Sequence, residues 1–158
     1  MKSFKYLLPL IFFSVLLTAC EEDDDLPTSG DVINAVTGNS LEAEVDGQNI
    51  SFTPYVQTTG DTILFGGFEG NTYPQITLLM SDTMSARTYT LSANLLSKPT
   101  IQYFYSDTSV HLTDNGSLTI SEFNKSNKTI KGTFEVVLKP FLQPDSTVIR
   151  NGAFTCNY

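Results

Sequence analysis

The chain has 158 residues, with 9 Lys and Arg against 17 Asp and Glu and a formal net charge of −8. That balance argues against nucleic acid and anionic membrane surfaces as partners. One His and two Cys also leave zinc and copper sites without a ligand set, and nothing in the chain calls for a cofactor.

In chain order, Lys2 and Lys5 precede an apolar run from Leu7 to Leu17, broken only by Pro9 and Ser14. The run is too short for a bilayer core, which takes about 20 residues. A basic start, a short apolar stretch and small residues before a Cys have the form of a cleavable secretory signal over residues 1–19. Leu17-Thr18-Ala19-Cys20 resembles the lipobox of bacterial lipoproteins. The resemblance implies lipid on Cys20 and membrane attachment through its acyl chains. Glu21-Glu22-Asp23-Asp24-Asp25 follows and reads as a solvated spacer. Placed directly after the lipidated Cys, it resembles the surface-export signal of Bacteroidota lipoproteins. That implies an outer-membrane lipoprotein displayed at the cell surface, the alternative being the periplasmic face. The run lacks the Gly turn and spaced ligands of a calcium loop.

Loss of residues 1–19 removes Lys2 and Lys5 and no acid, leaving 7 basic and 17 acidic residues, or −10. With Cys20 used for lipid, Cys156 is alone and no intrachain disulfide can form. No His or basic residue lies near Cys156 in sequence to activate it, so it reads as a small buried hydrophobe.

Residues 20–40 are rich in acids, Gly, Asn, Ser and Pro, with sparse apolar positions. They read as an acidic tether, with a turn of helix around Val32–Val36. From Leu41 to Tyr158 short runs of β-branched and aromatic residues alternate with polar ones, the pattern of one all-β domain. Leu41–Val45 and Asn49–Gln57 flank Asp46-Gly47, a favoured hairpin turn. Thr62–Glu69 places Ile63, Phe65 and Gly67 on one face, and Gly66-Gly67 marks a bulge or a close backbone approach. Tyr73–Met80, Arg87–Leu91 and Thr100–Tyr105 follow as strands. Val110–Leu112 is short, and Asp114-Asn115-Gly116 reads as a turn before Ser117–Phe123. Asn127–Pro140 is the clearest strand, with Ile130, Phe134, Val136 and Leu138 on one face. In Thr147–Tyr158, Asn151-Gly152 reads as a bulge rather than a hairpin turn, because the long strand before it needs a partner of similar length. About nine strands joined by short turns predict sequential antiparallel neighbours, arranged as a β-sandwich or a flattened β-barrel.

Several of these segments resemble, in order, domains of unknown function found in Bacteroidota lipoproteins: Leu41-Glu-Ala-Glu-Val-Asp-Gly47, Gly116-Ser-Leu-Thr-Ile120, Lys131-Gly-Thr-Phe-Glu135 and Asn151-Gly-Ala-Phe154. Arg87 stands where such domains often carry Gly before Thr-Tyr. The resemblance implies a small β-sheet lipoprotein domain and assigns no activity.

No residue pattern builds an active site. His111 has Asp107 and Asp114 nearby but no nucleophile elbow or ordered triad motif, and reads as an exposed strand-end or loop residue. Glu42, Glu44, Glu69, Glu122 and Glu135 on strands could supply a glycosidase pair, although strand carboxylates more often face solvent. Tyr55, Tyr73, Tyr103 and Tyr105 are available to stack on sugars. In Tyr103-Phe104-Tyr105, alternation turns either Phe104 or both Tyr residues outward, which leaves an exposed aromatic spot or a barrel interior, and these three are the candidate ligand-facing aromatics. Asp61-Thr62-Ile63, Asp82-Thr83-Met84 and Asp145-Ser146-Thr147 resemble the short O-glycosylation acceptor of Bacteroidota. The functional expectation is a lipid-anchored, non-enzymatic envelope module of unknown specific function that binds a partner, an envelope protein or a glycan, or helps assemble an envelope complex. The alternative is a lipocalin-like small-ligand carrier or a glycan binder.

Overall fold

A computed structural model of the chain describes residues 37–94, 97–140 and 145–158. The signal segment, Cys20, the acidic run and the Val32–Val36 turn lie outside them, as does Pro144.

The described residues form nine strands: β1 (Ser40–Val45), β2 (Gln48–Thr59), β3 (Thr62–Phe68), β4 (Gln75–Ser81), β5 (Arg87–Ser92), β6 (Thr100–Phe104), β7 (Val110–Asn124), β8 (Thr129–Pro140) and β9 (Thr147–Asn157). Every pairing is antiparallel. The order β7-β6-β4-β3-β2-β1-β9-β8 returns to β7, so eight strands close into a barrel. Of sandwich and barrel, the structure takes the barrel. β5 is the extra strand, laid along the part of β7 that β6 does not cover.

Closure follows from the alternation in each strand. β8 alternates along its length, with Ile130, Phe134, Val136 and Leu138 buried and Lys131, Thr133 and Glu135 exposed. The inward residues of β3, β4 and β6, namely Ile63, Phe65, Ile76, Leu78, Met80, Ile101 and Tyr103, continue the same interior. The rings of Phe65, Phe154 and Phe134 pack in series at 5.8 and 6.4 Å between centroids. An eight-stranded barrel has an interior that side chains can fill, and these rings occupy it. Cys156 joins them with 0% exposure, and burial raises its thiol pKa to about 12.

Local chemistry sets the turns and bends. Asp46 and Gly47 both have positive φ, 49° and 85°, which makes the tight β1–β2 hairpin that the sequence predicts. The Gly66-Gly67 pair is a close approach rather than a bulge, since the register of β3 runs unbroken past it. A Cβ on Gly67 would sit 2.7 Å from Phe52 Cβ. Asn151 (φ 50°) marks the expected bulge: β9 carries one extra residue against both β1 and β8.

One expected turn is not a turn. Asp114-Asn115-Gly116 lies inside the continuous strand β7, with Asp114 as the bulged residue against β8. Here β7 also changes partner on its other edge, from β6 to β5. Thr113 bridges the change: its hydroxyl donates to the Ile101 carbonyl (2.7 Å) and accepts from the Ile101 N–H (3.0 Å), replacing a ladder partner. Turn-forming residues are thus overridden by pairing on both edges.

Candidate binding site at the barrel mouth

The strand directions define two ends. Asn39 enters beside Asn157, to which it is bonded at 2.7 Å, and this is the proximal end. At the distal end lie Asp46-Gly47, residues 69–74, residues 105–109 and the described part of the β8–β9 connection.

The distal end gathers the polar groups that the strands do not use. Asp46 clamps the start of β9: its N–H donates to the Val148 carbonyl (2.9 Å), and its Oδ1 accepts from the Val148 N–H (2.8 Å). Its Oδ2 accepts from the Tyr105 hydroxyl at 3.1 Å. The Tyr105 oxygen is 3.0 Å from Thr147 Oγ1, and Thr147 Oγ1 is 2.8 Å from His111 Nδ1. A phenol has one proton, and here it goes to Asp46. Thr147 must therefore donate to Tyr105 and accept from His111, which assigns neutral His111 as the Nδ1–H tautomer. All donors in the chain His111–Thr147–Tyr105 point toward the Asp46 carboxylate.

Electrostatics agree. Burial pushes the His111 pKa below its ordinary value, outweighing the opposing pull of Asp46 and Asp145. Partial burial, together with the nearby Asp46 charge, raises the Tyr105 pKa, which keeps the donating phenol protonated. Tyr105 also packs edge-on against Tyr103 (4.8 Å) and His111 (4.9 Å).

This arrangement corrects the reading of His111. It is 8% exposed rather than solvated, and its partner Thr147 lies 36 residues away in sequence. Neither Asp107 nor Asp114 is its partner; Asp114 instead pairs with Lys139 at 2.9 Å.

The three candidate aromatics do not share a surface. Tyr103 points into the barrel and is 1% exposed, so it is not a solvent-facing residue. Phe104 lies half-buried on the outer wall. Tyr105, just beyond the end of β6, is 42% exposed at the mouth. The structure adds Tyr73, 39% exposed in the β3–β4 connection. Gln75 pairs with Phe104, so Tyr73 and Tyr105 leave the same end of neighbouring strands. Tyr55 is spent on the wall, bonded to Gln75 and to Thr77 Oγ1 (3.0 Å). The described distal loops carry Asp46, Glu69, Asp107 and Asp145 and no Lys or Arg. The mouth is thus an acidic rim with two exposed phenols. Sequence reasoning named Tyr73 but had no signal for its adjacency to Tyr105, which depends on β6 pairing with β4 across the excursion of β5.

The strand carboxylates are dispersed. Glu122 pairs with Lys131 at 2.8 Å, Glu44 accepts from Asn151 at 3.1 Å, and Glu135 lies on the outer wall with β9 between it and Glu44. A shallow outer-wall depression of about 480 Å³ lies over Ser117, Thr119, Thr133 and Glu135. Among the described residues, no group of three or more His, Cys, Asp or Glu is placed to hold a metal ion. Of the O-glycosylation-like positions, Thr83 and Ser146 are exposed, while Thr62 is half-buried and bonded to Asp61 and Lys98.

No curated protein and no solved structure gives a significant match to the chain. The sequence model of a family described as a domain of unknown function, DUF6252, matches residues 39–156, the span from the last residue before β1 almost to the end of β9. The chain therefore belongs to the DUF6252 family, and its domain is a closed antiparallel β-barrel with one flanking strand.

Proposed function

We propose that this protein is a lipid-anchored, non-enzymatic binding module of the bacterial envelope, and that the distal mouth is its ligand surface. The observation that carries this reading is the pair of exposed phenols, Tyr73 and Tyr105, on an acid-rimmed end opposite the point where the chain enters. Aromatic faces exposed beside fixed polar groups suit a polyhydroxylated ligand, whose C–H faces stack on rings while its hydroxyls bond to carboxylates. A neutral or cationic glycan fits this end; an anionic one would meet Asp46, Glu69, Asp107 and Asp145. The anchor rests on the lipobox-like Leu17–Cys20 and the surface address on Glu21–Asp25. The non-enzymatic reading rests on His111 being engaged by Thr147 and on the dispersal of the strand carboxylates.

A lipocalin-like carrier shares the closed barrel, but the Phe65–Phe154–Phe134 series fills the interior that its ligand would need. An outer mouth site is the better supported of the two.

The test is an array of neutral, cationic and anionic oligosaccharides probed with the full-length protein in detergent. Binding should favour neutral or cationic glycans and fall at least tenfold in Y73A/Y105A. Binding that ignores both substitutions would overturn the site. Separately, Cys20→Ala should release the protein from the membrane fraction; retention after a salt wash would overturn the anchor.

A further inference from the structure

Tyr103 is 1% exposed, yet among the described residues its hydroxyl makes no hydrogen bond. A buried phenol normally finds a partner. Every fully enclosed side-chain nitrogen and oxygen of the described residues has one, so the sliver of Tyr103 that solvent reaches includes this hydroxyl. Its surroundings say where it points. β6 holds Tyr103 in register between Ile76 and His111, and its ring meets Tyr105 edge-on at 4.8 Å. Burial is the main influence that raises its pKa, and Tyr105, Glu69 and Asp46 add to it. All three lie at the distal end. The hydroxyl is therefore a neutral, unpartnered phenol recessed beneath the mouth.

The other donors at this end are already committed. His111 gives its proton to Thr147, Thr147 to Tyr105, and Tyr105 to Asp46. The cations at the flanking strand ends lie on the outer wall: Lys139 is paired with Asp114 at 2.9 Å, and Arg150 stands in register with Glu44. Burial holds the His111 pKa below its ordinary value, so no cation faces the mouth from inside. What remains for a ligand is acceptors. An ionised carboxylate has about four lone-pair sites. Asp46 uses one on the Val148 N–H and one on Tyr105. Glu69 is exposed beside it in charge range of the same phenol, whose own oxygen also accepts.

The complement of such a seat is a positive group that only donates. A primary ammonium has three N–H donors and no acceptor. It is also about the size of a water molecule, as the narrow opening over Tyr103 requires. A guanidinium is broader, and a quaternary ammonium has no N–H to give. We propose that the mouth selects an amino sugar, its free ammonium seated between the Tyr103 hydroxyl and the Asp46 carboxylate, with Glu69 as the outer acceptor. This rests on the reading of the mouth as a glycan surface and adds the group that the surface selects. Tyr73 and Tyr105 supply the rings on which the sugar stacks; Tyr103 supplies the choice of substituent.

Titration of the full-length protein in detergent at pH 6, with the glucosamine trimer and the N-acetylglucosamine trimer, tests it. The two sugars share a backbone and differ in the free amine. The glucosamine trimer should bind at least tenfold more tightly. In Y103F that ratio should fall at least fivefold, while the unfolding midpoint does not fall, because the hydroxyl has no partner in the folded protein to lose. Equal binding of both trimers, lost in Y73A/Y105A, would overturn the amine seat and leave the mouth standing. A preference that survives in Y103F would also overturn it, since the acidic rim alone would then be attracting the cation. A glucosamine trimer that fails to bind would overturn it too; the mouth itself falls only if the neutral glycans fail as well.

Discussion

Replacing Thr147 by Val keeps the shape of the side chain and removes only its hydroxyl. Thr147 is 1% exposed, and its partner His111 is 8% exposed, so the substitution strands the His111 Nδ1–H where little water can reach it. A buried donor left without a partner costs about 1–3 kcal/mol. The other partner, Tyr105, keeps Asp46 and is 42% exposed, so water replaces the lost bond there at little cost. T147V should therefore lose about 2 kcal/mol, or roughly 8 °C in Tm for a domain of this size. Urea denaturation at pH 8, where His111 is neutral in both folded and unfolded states, measures this with an unchanged m-value. T147S restores the hydroxyl and gives up one methyl, about 0.8 kcal/mol. The donor chain from His111 to Asp46 would be refuted if T147V cost under 0.5 kcal/mol, or if T147S were as damaging as T147V.

Three further outcomes follow from the same geometry. A Cβ on Gly152 would lie 2.5 Å from two ring carbons of Phe134, which is 2% exposed, so G152A should cost about 1–3 kcal/mol; F134L should recover at least half of that in the double variant, and simple additivity would count against the contact. His111 has a depressed pKa in the folded state, so the unfolded chain takes up the proton first as pH falls. The stability its neutral form contributes is present above the unfolded pKa of about 6.5 and is lost as pH falls through the folded value; H111Q should flatten that part of the pH–stability curve. With its pKa near 12 and no exposure, Cys156 should stay unreactive toward a disulfide reagent at pH 8 in native Cys20→Ala protein and react fully in 8 M urea; ready native labelling would contradict its burial.

Much of the barrel is readable in the residues because local chemistry and tertiary placement agree. Asp46-Gly47 has both the composition and the φ values of a hairpin, and the β8 alternation survives unchanged as inside and outside. Asn151-Gly152 announces a bulge for a reason of length, which is a tertiary argument made from sequence. The failures are also instructive. Asp114-Asn115-Gly116 has turn chemistry but sits between two ladders that hold it extended, and no local signal reports that β5 and β6 share an edge of β7. His111 looks solvated because its burying partners, Thr147 and Tyr105, come from another strand and from a loop end. Tyr103 and Tyr105 share a parity in sequence, yet one ends in the interior and the other at the rim, because β6 stops between them.

The pairing of β9 with β1 joins Ser40 to Thr155 and Leu41 to Phe154. β9 is also the partner of β8, so one strand of eleven residues completes two ladders at once. Until that strand arrives, β1 and β8 each present an open edge, and edges of that kind template unwanted pairing. Contacts this distant in sequence form late and slowly. A chain emerging from its amino end would therefore wait with both edges uncovered until β9 followed, so the last strand times the closure of the barrel.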